Sequence, residues 1–305
     1  MIRILQYEIR ALLRSSWILR SIILLSLVTS IELLFLTHYF ISNIGPRHLT
    51  PSPFAGRGLT STFDYQQETV PVILSNHEKG QIAVLLLTSV DTIFALLVSV
   101  VLGAQSIAGE VEQNMLPLLR GSPLSLWRFS LIKVITSSVV TFLILLSTLP
   151  AFTYVFIFQQ LRGEELFVIV SQIAVAILAG VSIGFIWSTR LTSQAGAATL
   201  GIASILISLA VLTVLGLTRG KGQVLALNWL VVLHPLASLA SWTSHDLVGV
   251  SATVFPKVFE LSSLSFHFAR WSVLLPLWCI PLLSWFFIAL ILLLWSQVML
   301  IRRYQ

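Results

Sequence analysis

Six stretches of this chain are long enough and apolar enough to cross a bilayer, and they govern what it can fold into. A helix needs roughly 20 mainly apolar residues to span the hydrocarbon core. Residues 17–40, 81–107, 131–158, 166–188, 194–217 and 272–301 meet that requirement. Within lipid such a run must satisfy its own backbone hydrogen bonds, which a helix does. The expected fold is therefore all-α: one membrane domain over residues 1–305, with six transmembrane helices. Charge agrees with this. Asp, Glu, Lys and Arg make up 10% of the residues, against about 25% in soluble domains, and the mean hydropathy is +0.94. A water-soluble monomer of that composition would expose far too much apolar surface.

An even number of spans puts both termini on one side of the membrane. With the termini inside, the inner segments hold ten of the 18 Lys and Arg residues and the much longer outer segments hold eight. Basic density is higher inside, so the positive-inside rule places both termini in the cytoplasm. Trp17, Trp127, Trp187 and Trp295 fall near the inner ends of spans and Trp271 near an outer end, where amphipathic rings favour the interface. The formal charge of +6 thus reads as the basic flanks of membrane helices and calls for no nucleic acid. The first apolar run is too long for a cleaved signal peptide, and no small-residue cleavage site follows it.

Three pieces lie outside the spans. Residues 1–16, "MIRILQYEIRALLRSS", carry Ile2, Leu5, Ile9, Leu12 and Leu13 at helical spacing, with Arg3, Arg10 and Arg14 elsewhere on the wheel. This predicts a basic amphipathic helix in the interface plane, either an elbow bracing the bundle or a simple anchor. Residues 218–271 contain "QVLALNWLVVLHPLASLASW", an apolar run too short to cross and stopped at His234-Pro235. Short helices re-entering the outer leaflet are expected there.

The third piece, residues 109–130, lies within "GEVEQNMLPLLRGSPLSLWRFSLIK", which runs from Gly109 to Lys133. The second span runs on past Ala108, so Glu110 and Glu112 emerge just beyond the membrane. A Leu-rich cluster follows, then Gly121, which can end a helix, and Ser122-Pro123, which can start one. The outcome is a short cytoplasmic helix with apolar knobs and flanking charges. Two readings remain open: a surface that docks in a groove on a partner protein, or a turn packed on its own bundle.

Glu32 and Asp91 lie about 15 and 10 residues into their spans, near mid-membrane by sequence. A carboxylate there costs several kcal/mol unless it is paired, protonated or wetted, which makes both candidates for a polar path through the bundle. The alternative is a structural hydrogen bond. Small residues recur four apart at Ala176, Gly180 and Gly184, and again at Ala197 and Gly201. That spacing permits close helix approach, within one subunit or at a dimer seam. Arg190, in the short inner turn between the fourth and fifth spans, either anchors the turn or touches a partner.

Cys279, the single cysteine, lies in an apolar run and reads as a small filler; no disulfide and no cysteine metal site is available. The six histidines lie on or near the outer side with no pair at helical i, i+4 spacing, so no metal centre is expected. No catalytic arrangement of residues stands out.

"QSIAGEVEQNMLPLLRGSPLSLWRFSLIKVI" resembles the segment between the second and third spans of ABC-2 type transporter permeases. Members of that family show an acidic residue ending the second span, a Leu-rich turn, a small-Pro pair, a basic residue and a lysine opening the third span. Here these fall on Glu110 and Glu112, Leu116 to Leu119, Ser122-Pro123, Arg128 and Lys133. "LHPLASLASW" is similar to the family's Asn-Pro motif, with His234 where Asn is common. The family's usual Gly-Thr after the acidic pair is Asn114-Met115 here. The likeness extends along the chain as architecture.

The resemblance implies a transmembrane subunit of an ABC exporter in a bacterial-type cytoplasmic membrane, paired with itself or with a second permease. It implies a coupling helix docking on a separate ATPase subunit, with Glu110, Glu112, Leu118, Leu119, Arg128 and Arg190 at or near the contact. ATP and magnesium would belong to that partner. No phosphate loop of the form GxxxxGK[ST] exists here: "GLTRGKGQ" has the wrong spacing and lacks the Ser or Thr after Lys221. The expected role is therefore transport without an ATPase activity of its own and without a cofactor. Two other classes remain open: a proton-coupled transporter relying on Glu32 or Asp91, and a membrane anchor subunit of an enzyme complex.

Overall fold

Proline at position 150 explains why one long apolar segment is not one helix. Its ring has no N–H to give to the carbonyl of Leu146 and clashes with that carbonyl in a straight helix. In the computed structural model the segment is split into an α-helix over Leu126–Leu145, a 3-10 turn over Leu146–Thr148, and a second α-helix over Leu149–Phe158. The Leu149 N–H donates to the Leu146 carbonyl across the tighter turn, so that acceptor is not left empty.

The structure describes residues 6–7, 9–10, 16–35, 76–112, 126–158, 163–218, 234–235 and 279–304. In chain order the helices are α1 (Ser16–Phe35), α2 (Asn76–Glu112), α3 (Leu126–Leu145), α4 (Leu149–Phe158), α5 (Gly163–Arg190), α6 (Gln194–Thr218) and α7 (Cys279–Tyr304). No strand occurs among the described residues. Five helical segments are long and apolar enough to cross a membrane, with α3, the 3-10 turn and α4 forming one of them. In α1 the apolar stretch among the described residues is the shorter Arg20–Ile31. The multi-pass character of the chain is therefore plain.

Of the three pieces expected outside the spans, little is described. Gln6, Tyr7, Ile9 and Arg10 are helical within the expected elbow. Residues 113–125, with Leu118 and Leu119, lie outside the described residues, as does the 218–271 segment beyond Thr218, His234 and Pro235. The last helix is described over Cys279–Tyr304, and residues 272–278 of the expected span lie outside the described residues.

The bundle is organised around α2. Its most extensive contact is with α5, and it also touches α6, α3, α1 and α4. Accordingly 67% of its apolar window is buried, against 22% for α6 and α7, whose outer faces carry Ile207, Val211, Phe287, Ile291 and Trp295 for lipid to cover.

Small residues let α2 and α5 come so close. A Cβ on Gly180 would sit 2.7 Å from the Leu96 carbonyl oxygen, and one on Gly184 would sit 2.7 Å from the Ala104 nitrogen. Gly103 meets the Val181 carbonyl in the same way, at 2.6 Å. The glycines of α5 thus face α2 of the same chain, and Ala176 joins the same core. Ala197 packs with Ala104 and Ala108, and Gly201 lies against Val100. The contacts of α2 and α5 rise together in number, so the two helices run parallel. Two hydrogen bonds between them fix an offset of 80 to 81 residues.

Candidate functional site

The polar chemistry of the bundle sits in two places along α2. One is the end that carries Glu110 and Glu112. The other is some 20 residues back, around Asp91.

At the first place every acidic group is held inside the chain. Glu110 Oε1 accepts a 2.8 Å hydrogen bond from Lys133 Nζ of α3, with the two side chains 24% and 10% exposed. The ammonium group also stands 5.4 Å from the centre of the Phe129 ring. Glu112 Oε2 accepts from the backbone N–H of Gln194, the first residue of α6. Ser193 caps the same helix, its hydroxyl accepting from the Gly196 N–H. Two of the orphan donors at the start of α6 are thereby filled, one by a carboxylate whose charge suits that end of a helix.

Further bonds tie the neighbouring helix ends. The Ser188 hydroxyl oxygen of α5 accepts from the N–H groups of Ile107 and Ala108, at 2.9 and 2.7 Å. The Arg303 guanidinium of α7 donates to the Thr189 carbonyl, and Ser130 donates to Gln297 Oε1 at 2.6 Å. Arg190 stacks 5.8 Å from the Trp187 ring, whose indole N–H donates to Ser204. Arg128 is exposed near the start of α3. Sequence reasoning brought Glu110, Glu112, Arg128, Arg190 and Arg303 to this end of the bundle but missed Ser188, Ser130 and Gln297. A serine or glutamine in an apolar helix gives no sign of which neighbour it faces.

The second place is enclosed within the bundle. Asp91 is fully buried. Its Oδ2 lies 2.8 Å from Thr148 Oγ1 in the 3-10 turn, and that same oxygen lies 2.8 Å from the Leu145 carbonyl. Asp91 Oδ1 has no hydrogen-bond partner among the described residues, and neither have the buried hydroxyls of Thr88, Thr92 and Ser147. Glu32, the other carboxyl singled out in the sequence, falls in the last turn of α1.

By the α2–α5 offset, Gln172 stands level with Asp91. Its amide donates to the Pro235 carbonyl. Beside it is a cavity of about 10 Å³ lined by Leu96, Gln172, Val175, Ala176, Pro235, Pro281, Leu282 and Trp285. That is room for one water. The Trp285 indole N–H, buried and without a partner among the described residues, borders it. His234 is also buried at this level of the chain. Among the described residues no group of His, Cys, Asp and Glu is placed to hold a metal ion. No family model matches the chain, and no curated protein sequence matches it.

Proposed function

We propose that the chain is the permease subunit of an ATP-driven exporter, with six spans and both termini in the cytoplasm, paired with a second permease and driven by a separate ATPase. The 109–130 segment is its transmission element. The observation that supports this reading is what lies on either side of residues 113–125. They connect the end of α2 to the start of α3, and those ends are fastened to each other by Glu110–Lys133 and to α6 by Glu112. A push on the connecting segment therefore reaches three helices at once. The apolar knobs Leu118 and Leu119, with Arg128 and Arg190 nearby, suit a groove on the ATPase. The elbow helix at 1–16 and re-entrant helices in 218–271 complete the architecture.

The test is a pull-down from detergent-solubilised native membranes, comparing wild type with Leu118→Asp/Leu119→Asp. That variant leaves the Glu110–Lys133 pair untouched. Wild type brings down an ATPase subunit and the double variant loses it. Wild type without any ATPase defeats the reading.

A further inference from the structure

The contact between Asp91 and Thr148 poses a problem of hydrogen counting. Thr148 Oγ1 is 2.8 Å from Asp91 Oδ2 and 2.8 Å from the Leu145 carbonyl oxygen. A hydroxyl carries one hydrogen. If Asp91 is a carboxylate, both neighbours are acceptors only, and the single hydrogen cannot serve both well. A second proton removes the conflict. An Oδ2–H donates to Thr148 Oγ1, and Thr148 donates onward to Leu145. Both short contacts then become full hydrogen bonds in one chain.

Burial points the same way. A fully enclosed carboxylate needs partners for both oxygens. Asp91 Oδ1 has none among the described residues. As the carbonyl oxygen of a neutral acid it is a far less costly orphan than as half of an anion. Side chains on a helix lean toward its N-terminus, which sets this carboxyl over the turn holding Thr88. That residue brings a hydroxyl and no cation.

Among the described side chains on the helices around Asp91 the cations stand away from it along their helices, and the titratable His234 is buried next to Pro235, whose carbonyl bonds Gln172 at the level of Asp91. On α3 these are Arg128 and Lys133, the latter 15 residues before Thr148, or roughly 22 Å along the helix. Tyr154 on α4 is six residues beyond Thr148. On α5, Glu165 lies near one end and Arg190 at the other. On α1, Arg20 lies in the first half of the helix, and the side chain of Glu32 lies outside the described residues; the described part of α6 has none. On α2 itself the others are His77, Glu78 and Lys79 in its first turn and Glu110 and Glu112 in its last.

We propose that Asp91 is a proton-binding site: in the packed bundle its carboxyl carries a proton and donates it to Thr148, tying α2 to the 3-10 turn. The tie holds only in the protonated form. When the bundle opens and water reaches the site, the O–H at Oδ2 breaks and the proton passes to water. The carboxylate left behind has lost its donor and favours the wetted, open arrangement. Proton occupancy and the α2–α3 contact are thus linked, and this stands whether or not the chain works with an ATPase.

The experiment is infrared spectroscopy of the purified full chain in sodium-free and sodium-containing buffer at neutral pH, with carbon-13 in the carboxyl of aspartate. Three aspartates report, Asp64, Asp91 and Asp246, and Asp91→Asn assigns the signal. The expected result is a protonated-carboxyl C=O stretch that moves with the label, vanishes in Asp91→Asn, and shifts upward in frequency in Thr148→Val. Wild type showing no such band overturns the proposal. So does a band that disappears on adding sodium, which would make the site one for a metal cation. Because the isotope effect is read in wild type, an unstable variant does not blunt the test.

Discussion

Glu110 and Asp91 are carboxylic acids on one helix, and the chain handles them in opposite ways. At the end of α2, Glu110 meets an ammonium group and keeps some access to solvent; its neighbour Glu112 meets the start of another helix. In the interior, Asp91 is fully buried and meets the hydroxyl of Thr148. The end of the bundle spends charge on charge, which works because water remains near and each desolvation cost is partial. In the middle no described side chain supplies an opposite charge, and a neutral hydrogen-bonded acid is the cheaper solution. The same residue class therefore marks a fastening in one place and a proton site in the other.

The difference is open to attack by substitution, with unfolding measured in detergent. Lys133→Met leaves Glu110 as a half-buried anion with its ammonium partner gone. We expect the largest loss, roughly 2–3 kcal/mol, somewhat less than breaking a fully buried pair costs because Glu110 keeps some solvent. Adding Glu110→Gln should return most of it, and failure to do so would show that Lys133 serves mainly by packing. Ser188→Ala removes the acceptor shared by two backbone N–H groups, for a loss of about 1–3 kcal/mol. Glu112→Ala should cost about 0.5–1 kcal/mol through the exposed start of α6, with Ser193 still in place as its cap. Asp91→Asn should cost least, under about 1 kcal/mol, because an amide N–H donates to Thr148 as the acid does. A loss at Asp91→Asn as large as that at Lys133→Met would erase the contrast.

Five of the six spans were legible because the bilayer imposes length and apolarity on sequence directly. Gly180 and Gly184 were legible as a place of close approach, and only the fold places α2 against them. The break in the third apolar segment left a sign, Pro150, but a proline in a membrane helix is tolerated in several ways, and its effect on Leu146–Thr148 depends on the neighbours. Thr148 could not be paired with Asp91 from sequence at all. They are 57 residues apart, and a threonine in a membrane helix usually bonds its own backbone. Lys133 and Glu110 were both visible as charges beside the membrane, yet nothing in their spacing says that they join each other.

Helix α2 runs over 37 residues. At 1.5 Å per residue it is about 55 Å long, nearly twice the roughly 30 Å of hydrocarbon it crosses. It behaves as a rod on a fulcrum, held near its middle by the glycine contacts of α5. A tilt of only about 5° swings either end of such a rod by some 2–3 Å. Displacement at one face of the membrane is in this way delivered to the other without any change in the rod itself.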